Sequence, residues 1–342
     1  MFKKQAELLE RQKNGIMILF LNPCIDPARN LALEEYLLTS RREDFFMVWR
    51  NQPSIIVGRN QNPFAQINNA YVQEHHIPVF RRITGGGSVY HDLGNVNFTM
   101  IRSIHRPRAI NFQHLLEPVM EFLNLMGVDA RMEGESDLAL PCGKISGNAQ
   151  HLHKNRVLHH GTLLFDTDLR TLSHVLSTES GKYFDKSVDS IRKKVTNLRP
   201  LLRTDLGVET FMRGLLAFFQ RKNPEALQTA LSLPEQCIIN GNAEGKYNSW
   251  EWNYARSPEY CFKTTLESMD DRLKVQLQVR KGIIQNAHFN GKHLTAQKAL
   301  ELAAVLRGKP HTPAHMAAGL DRVLRDEAYP VNSYRSLAPG LF

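Results

Sequence analysis

The segment Arg81-Arg82-Ile83-Thr84-Gly85-Gly86-Gly87-Ser88-Val89-Tyr90-His91-Asp92-Leu93-Gly94-Asn95 is the most distinctive stretch of this chain. Glycine has no Cβ, so a run of glycines lets the backbone approach a ligand closely and leaves its N–H groups open to an oxyanion or an acyl chain. A plain turn is the ordinary alternative, because glycine pairs commonly mark turns. The residues Val89 and Tyr90 that follow favour the start of a strand.

The composition limits the class of protein. The chain has 342 residues, of which 42% are hydrophobic and 23% are charged. These values are typical of a soluble globular protein that is long enough for two unequal domains. No stretch approaches the about 18 apolar residues of a membrane span, and residues 16–21 are too short for a secretory signal. We therefore expect a cytoplasmic protein without a membrane partner.

The charge and the cysteines narrow the choice of partners. The formal net charge of +9 favours an acidic partner, and nucleic acid is the first to consider. The basic residues are dispersed and no nucleic-acid motif accompanies them, so an acidic protein substrate explains the charge equally well. The four cysteines (Cys24, Cys142, Cys237 and Cys261) contain no Cys-x-x-Cys pair. Reduced thiols are therefore expected, with neither a zinc site nor a disulfide framework.

The pattern of apolar residues predicts a chain of mixed strands and helices. Strands are expected at residues 16–21 and 96–101, a hairpin at 45–59, and helices near 26–38, 112–126 and 209–220. Residues 240–245 have the composition of a loop. From residue 257 the pattern predicts strands at 261–267, 273–280 and 282–289, followed by helices at 296–306 and 313–326. This last part is a small α+β unit.

A second polar segment is Gly143-Lys144-Ile145-Ser146-Gly147-Asn148-Ala149. A lysine in a turn between glycines can direct its ammonium at a phosphate or a carboxylate, while neighbouring N–H groups add donors. On its own, such a lysine is an ordinary surface residue in most proteins. The segment therefore indicates an anion site only if other sequence features point to the same function.

Two further segments suit a ligand pocket. Adjacent side chains of a strand point to opposite faces, so His160 and Thr162 share a face that His159 does not. A histidine that is merely hydrogen-bonded within a sheet is the ordinary alternative. Residues 181–198 combine glycine, serine and basic side chains and have the character of a mobile loop that could close over a nucleotide. A solvated charged face is the competing interpretation for Lys193 and Lys194.

Taken together, these segments resemble the full-length form of the lipoate-protein ligase A family. The glycine segment matches its pattern Arg-Arg-Ser-Ser-Gly-Gly-Gly…His-Asp-Leu-Gly-Asn, with Ile83 and Thr84 in place of the serines. The family's Lys-x-Ser-Gly-x-Ala and His-His-Gly-Thr-Leu-Leu follow at Lys144 and His159. Residues 186–197 are similar to its adenylate-binding loop, and Trp250-Glu251-Trp252 is another family mark. The similarity extends over residues 16–324.

The resemblance implies both a fold and an activity. The implied fold is α/β (α+β), with a biotin/lipoate-protein ligase-like catalytic domain at 15–254, in which helices flank a mixed β-sheet, and a small C-terminal α+β accessory domain at 257–342. The implied enzyme uses ATP to convert lipoate to lipoyl-AMP and then transfers the lipoyl group to a lysine of apo lipoyl-domain proteins. Such proteins include 2-oxo acid dehydrogenase acyltransferase subunits and the H protein of glycine cleavage. Mg²⁺ is expected, because phosphoryl oxygens must be neutralised during the displacement.

The resemblance also implies site residues. Lys144 is the implied catalytic residue, in contact with the acyl carbonyl and the α-phosphate, and Asp137 is a candidate ligand of Mg²⁺. Contacts to lipoate or to the adenylate are implied for Arg82, Thr84, Gly85, Gly86, Gly87, Ser88, Val89, Tyr90, His91, Ser146, Gly147, Ala149, His160, Thr162, Arg192, Thr196 and Asn197.

Two other functions stay open at this point. An octanoyl- or lipoyltransferase that takes its acyl group from a carrier-protein thioester would share the fold but needs a cysteine nucleophile, and Cys142 lies two residues before Lys144. The cysteine of those transferases lies elsewhere relative to the lysine, so Cys142 is interpreted as a loop cysteine. A regulator that binds nucleic acid or a ligand without catalysis has only the basic charge in its favour. The sequence does not decide between lipoate and octanoate, nor does it give the oligomeric state.

Overall fold

The fold is described from a computed structural model, which covers residues 16–104, 112–178, 181–187, 190, 193–267 and 272–324. Its largest sheet contains eight strands: β1 (Met17–Leu21), β2 (Asp44–Trp49), β6 (Asn95–Ser103), β7 (Arg131–Glu133), β8 (Asp137–Leu140), β9 (Gly143–His153), β10 (Arg156–Leu164) and β12 (Leu227–Gln228). Their order is β12-β1-β2-β6-β10-β9-β8-β7. The pairs β1–β2 and β1–β12 are parallel and the others antiparallel, so the sheet is mixed as predicted.

One face of this sheet packs against α4 (Phe112–Leu125) and α6 (Val208–Lys222). Phe46 of β2 stacks on Phe219 of α6, with ring centroids 3.5 Å apart. Leu116 and Phe122 bring the apolar side of α4 into the same core. These two helices were predicted from their spacing, and α4 continues through Pro118.

The other face of the sheet packs against α1 (Pro27–Ser40), which begins where Asp26 accepts hydrogen bonds from the amides of Ala28 and Arg29. Helix α7 (Leu233–Asn242) lies against α1 and continues into a π-helical turn, Ala243–Tyr247. A loop was predicted at 240–245, and that prediction is wrong. Ala243 and Tyr247 are buried in the core that α1 shares, so packing outweighs the local preference of asparagine and glycine for loops.

A three-stranded sheet lies beside α1 and contains β3 (Ser54–Val57), β4 (Val79–Arg81) and β5 (Val89–His91), in the order β4-β3-β5. Short helices α2 (Pro63–Gln66), α3 (Asn69–Glu74) and α5 (Leu169–Val175) accompany it. The predicted hairpin at 45–59 is therefore wrong, because β2 and β3 belong to different sheets. The connecting residue Asn51 is fully buried and is hydrogen-bonded to Asn30 and His91, which fixes the crossing between the two sheets.

The C-terminal part contains β13 (Tyr260–Glu267), β14 (Arg272–Arg280), β15 (Ile283–Asn290), α8 (Ala296–Leu306) and α9 (Pro313–Val323), which confirms the predicted small α+β unit. A fourth strand, β11 (Tyr183–Asp185), completes its sheet by pairing with β13. β11 lies within the segment that was predicted to be a loop. Phe64, from the first part of the chain, also packs in this C-terminal core.

Among the helices of the described residues, none is long and apolar enough to cross a membrane.

Candidate active site

A row of residues on one face of the large sheet forms the floor of the candidate site. Asn97 of β6 pairs with Thr162 of β10 on one side and with Trp49 of β2 on the other. The Gly147 amide of β9 donates to Thr162 Oγ1 at 3.2 Å, and Asp137 of β8 pairs with Gly147. Because directly opposite residues of antiparallel strands share a face, the row runs across four strand spacings, or about 19 Å, from Asp137 to Trp49.

The glycine segment covers this row from above, between β4 and β5. Gly86 has φ 85°, in the left-handed region that favours glycine. The buried Arg82 guanidinium supports the loop, since its Nη2 donates to the carbonyls of Gly85 at 2.6 Å and Gly87 at 2.7 Å. Burial lowers the pKa of Arg82 to about 10, so the guanidinium still carries its charge at neutral pH. Arg82 therefore shapes the glycine loop from inside.

A chain of buried hydrogen bonds ties this loop to the sheet. Thr84 Oγ1 lies 2.8 Å from His160 Nε2, and His160 Nδ1 lies 2.9 Å from Glu34 Oε1. Glu34 also accepts from Thr99 Oγ1 at 2.6 Å, and Trp49 Nε1 donates to Thr99 at 2.8 Å. The prediction that His160 and Thr162 share a face is confirmed, and both line a cavity. Thr84 itself lies beneath the loop and outside the cavity lining.

Two cavities, of about 450 Å³ and 420 Å³, meet at the middle of the site. The first extends over the row. Its apolar part is lined by Leu31, Trp49, Ile56, Val89 and Ala149, together with His91 and Asn97, and its other end carries the acidic side chains of Glu133, Glu135 and Asp137. The second is bounded by Tyr90, Ser146, Leu164, Leu169, Leu172, Leu176 and Val195. Seven residues line both: Ser88, Val89, Lys144, Gly147, Thr162, Ser190 and Lys193. A ligand with an apolar part and a second, separate part can therefore span the junction.

Lys144 lies at this junction, but in strand β9 rather than in the predicted turn. The turn prediction is wrong because backbone partners extend the strand: the Lys144 amide donates to Lys194 O at 2.8 Å, and the Thr196 amide donates to Lys144 O at 2.9 Å. Lys144 Nζ lies over Gly147, where a Cβ would be only 3.1 Å from it. Gly147 therefore leaves room for the ammonium group.

The Lys144 ammonium belongs to a cluster of four charged side chains, with Asp137, Lys193 and Glu133. Asp137 holds Lys144 Nζ at 2.9 Å with one oxygen and Lys193 Nζ at 2.9 Å with the other. Lys193 Nζ also lies 2.7 Å from Glu133 Oε2, and these carboxylates, Glu133 first, raise the pKa of Lys193. Among the described residues, no group of three or more His, Cys, Asp or Glu side chains is arranged to hold a metal ion.

Ser190 lies against the glycine loop. Its Oγ accepts from the Ser88 amide at 3.0 Å and donates to Gln66 Oε1 at 2.7 Å. Gln61 reaches the same hydroxyl with its Nε2 and accepts from Ser88 Oγ at 2.9 Å. A side chain on Gly87 would meet Ser190 at 3.1 Å, so this glycine makes the close approach possible.

Several predicted residues lie elsewhere. The Asn197 side chain bonds to the backbone of Thr167, and neither Asn197 nor Thr196 is among the described residues that line the two cavities. Gly85 borders the loop outside that lining, and Arg192 lies outside the described residues. Sequence reasoning missed Glu34, Gln61, Gln66 and Lys193 as site residues. Ser190 was only part of residues 186–197, which are similar to the family's adenylate-binding loop, and Lys193 lies in the same stretch.

His91 is a buried, neutral member of the first cavity. Burial lowers its pKa to about 3, and its Nδ1 accepts a hydrogen bond from the Asn51 amide group at 3.0 Å. The tautomer that fits this bond carries its proton on Nε2. His91 thus contributes a donor without adding charge to an apolar lining.

The chain was compared with known families and proteins. The sequence profile of the lipoyl protein ligase A/B catalytic domain family matches residues 26–220. Lipoate--protein ligase 1 of Staphylococcus aureus is 35% identical over 301 residues, which is 87% of this chain and 92% of that protein.

Three solved structures share the fold and cover 70% of this chain. The first is Ta0514, a lipoate-protein ligase homologue of Thermoplasma acidophilum with bound lipoic acid (TM-score 0.58, 25% identity, 98% of that chain). The second is a lipoate-protein ligase A bound with ATP (TM-score 0.59, 26% identity, 98% of that chain). The third is from a T. acidophilum system that combines a bi-partite ligase with its E2 lipoyl domain (TM-score 0.59, 26% identity, 95% of that chain).

Proposed function

Because this chain belongs to the lipoate-protein ligase A family and is an ATP-dependent lipoate-protein ligase, we propose that its two cavities divide the substrates between them. Lipoate takes the first cavity, whose apolar lining suits an alkyl chain and a dithiolane ring. The adenylate part of ATP takes the second. The observation that carries this proposal is the junction of the two cavities at Lys144.

The chemistry at the junction follows from the charges of the substrates. A carboxylate is a poor acyl donor, so a lipoate oxygen attacks the α-phosphorus of ATP. A new P–O bond forms, the bond to the bridging oxygen breaks, and pyrophosphate leaves. Lys144 stays protonated and stabilises the negative charge, while the glycine-loop amides act as further donors. No covalent bond to the enzyme is needed, because positioning and charge stabilisation suffice.

In the second step, the lysine amine of an acceptor protein attacks the acyl carbonyl and AMP leaves. The proposed acceptors are apo lipoyl domains, namely acyltransferase subunits of 2-oxo acid dehydrogenases and the glycine cleavage H protein. The E2 lipoyl domain named with the T. acidophilum ligase supports the first class. We place the reaction in the cytoplasm, without nucleic-acid or membrane partners, and assign catalysis to residues 15–254 and an accessory role to 257–342.

Mg²⁺ is proposed to arrive with ATP, because Mg²⁺ is usually held by one or two carboxylates together with substrate phosphates. The described residues do not form a ready site for it. Asp137, the ligand suggested by the sequence, has each of its oxygens paired with a lysine. In this arrangement Asp137 therefore does not fit the role of a Mg²⁺ ligand.

The thioester-dependent transferase is the less favoured alternative. Cys142 is exposed and is not among the described residues that line the two cavities. A nucleophile must reach the acyl carbonyl, and this thiol lies outside the space proposed for the acyl group.

The test supplies an apo lipoyl domain with either lipoate plus ATP or an octanoyl carrier protein, using wild type and Cys142→Ser. We expect lipoylation only with ATP and nearly equal rates for both proteins. Intact mass would show whether a thioester forms on Cys142. Modification from the carrier protein that is lost in Cys142→Ser would overturn the proposal.

A further inference from the structure

Two charged side chains line both cavities of the site, Lys144 and Lys193, while the other residues shared by the two linings are uncharged. In the sequence, a solvated charged face was the competing interpretation for both Lys193 and Lys194. In the structure, Lys193 reaches the junction and contacts Asp137 and Glu133. Its ammonium therefore lies on the opposite side of the Asp137 carboxylate from Lys144.

The position of Lys193 is fixed by the backbone next to it. Residues 194–196 run parallel to the start of β9, with a bridge between Val195 and Lys144. The hydrogen bonds from the Lys144 amide to Lys194 O and from the Thr196 amide to Lys144 O hold the two segments side by side. The two lysines thus come from neighbouring, hydrogen-bonded backbones, and both ammonium groups contact Asp137.

The resting cluster is electrically balanced, since two ammonium groups face the carboxylates of Asp137 and Glu133. Lipoate and ATP bring a carboxylate and a phosphate to this junction, and like charges repel as they approach. Each ammonium has three N–H donors, so it can contact a substrate oxygen while it keeps its carboxylate partner. Asp137 is the counter-ion that the two lysines share.

We propose that Lys193 is a second catalytic cation, whose ammonium contacts the α-phosphate opposite Lys144 and shares the charge that develops there. This inference rests on the proposed function of the junction. Both lysines stay protonated throughout: the carboxylate oxygen bonds to the α-phosphorus, and pyrophosphate leaves with the electrons of the broken bond. Lys193 removes part of the repulsion between the attacking carboxylate and the phosphate.

The experiment measures pyrophosphate release with lipoate and ATP for wild type, Lys193→Met, Lys193→Arg and Lys193→Gln. The methionine variant keeps roughly the length of the side chain without its charge and should lose about 100-fold in kcat/KM, at the lower end of the loss seen when one transition-state donor is removed. The arginine variant should recover most of this loss. Lys222→Met, on α6 away from the site, removes the same charge and should match wild type.

Glu133→Gln distinguishes a catalytic role of Lys193 from a purely structural one. It removes one carboxylate partner of Lys193 but leaves the ammonium group in place, so its loss in kcat/KM should be much smaller than that of Lys193→Met. A loss in Glu133→Gln as large as that in Lys193→Met would show that the ion pair only holds the segment, and would overturn the inference. Activity of Lys193→Met within twofold of wild type would do the same. Circular dichroism checks folding, and the glutamine variant repeats the test should the methionine variant misfold.

The same measurements distinguish this inference from the proposed function. Wild type that releases no pyrophosphate with lipoate and ATP would contradict the function itself. Active wild type together with an unaffected Lys193→Met would contradict only the role of Lys193.

Discussion

At the scale of single residues, Lys144 carries the clearest expectation. Lys144→Ala should slow lipoyl-AMP formation by at least about 100-fold, because one preorganised donor at the developing charge is removed. The fold should stay intact, since Asp137 keeps Lys193 as its counter-ion. Pyrophosphate release and thermal unfolding report the two effects separately. Near-normal pyrophosphate release would contradict the assignment, and Lys222→Ala controls for the change in charge.

His159 gives a second prediction, on stability. Burial, and to a lesser extent the neighbouring His160, lowers the pKa of His159 to about 3, while an unfolded histidine has a pKa of about 6.5. Between these values the unfolded chain binds more protons, so stability falls as the pH drops from 6.5 towards 3. At pH 5 the loss is about 2 kcal/mol.

Urea unfolding at pH 7 and pH 5 tests this. His159→Gln should weaken the pH dependence by about 2 kcal/mol. His114→Gln, at an exposed histidine, should leave it unchanged. An equal pH dependence in wild type and His159→Gln would show that another group is responsible.

These residues also show which parts of the site could be predicted from the sequence. The glycine segment and Lys144 could be identified because each lies in a short contiguous pattern. Lys193 could not be identified, because a run of basic residues has the same sequence pattern whether its side chains face solvent or a binding site. Only the pairing of residues 194–196 with β9, which depends on long-range packing, brings its ammonium to Asp137.

At the scale of elements, the glycine loop provides a matched pair of substitutions. Gly86→Ala places a Cβ 3.1 Å from Arg82 Nη2 at φ 85°, and a left-handed residue costs about 1–2 kcal/mol. Gly85→Ala meets nothing within 4 Å. We expect Gly86→Ala to weaken lipoate binding by about 5- to 30-fold and Gly85→Ala to change it little. Calorimetric titration with lipoate measures both, and equal affinities would exclude a special role for the Gly86 conformation.

The strands show a different limit of prediction. The apolar runs of β1, β2, β3 and β6 were visible in the sequence, but the partners of these strands were not. β2 and β3 are close in sequence and suggested a hairpin, yet each finds its neighbours in a different sheet. Pairing is decided by which faces can be buried together, and a local pattern does not contain that information.

At the scale of the whole molecule, the net charge of +9 should act on the second step more than on the first. Long-range attraction of an acidic lipoyl domain is screened over a Debye length of about 8 Å at physiological ionic strength. Transfer from supplied lipoyl-AMP should therefore slow with added salt more than adenylate formation does. Equal salt dependence of the two steps would remove electrostatic docking and leave the ligase assignment intact. A small neutral amine acceptor serves as the control, because its transfer should not respond to screening.

The two parts of the chain are joined by the pairing of β11 with β13 as well as by the covalent linker. If the backbone were cut between Ala255 and Tyr260, one fragment would keep β11 and Phe64, and the other would keep the strand and the core that receive them. An unpaired strand edge readily takes up a matching strand. The separately produced fragments should therefore find each other and co-purify as a noncovalent enzyme, whereas fragments that migrate apart would show that the linker is essential. A break at this point could thus be tolerated by the fold, with two polypeptides complementing each other as one ligase.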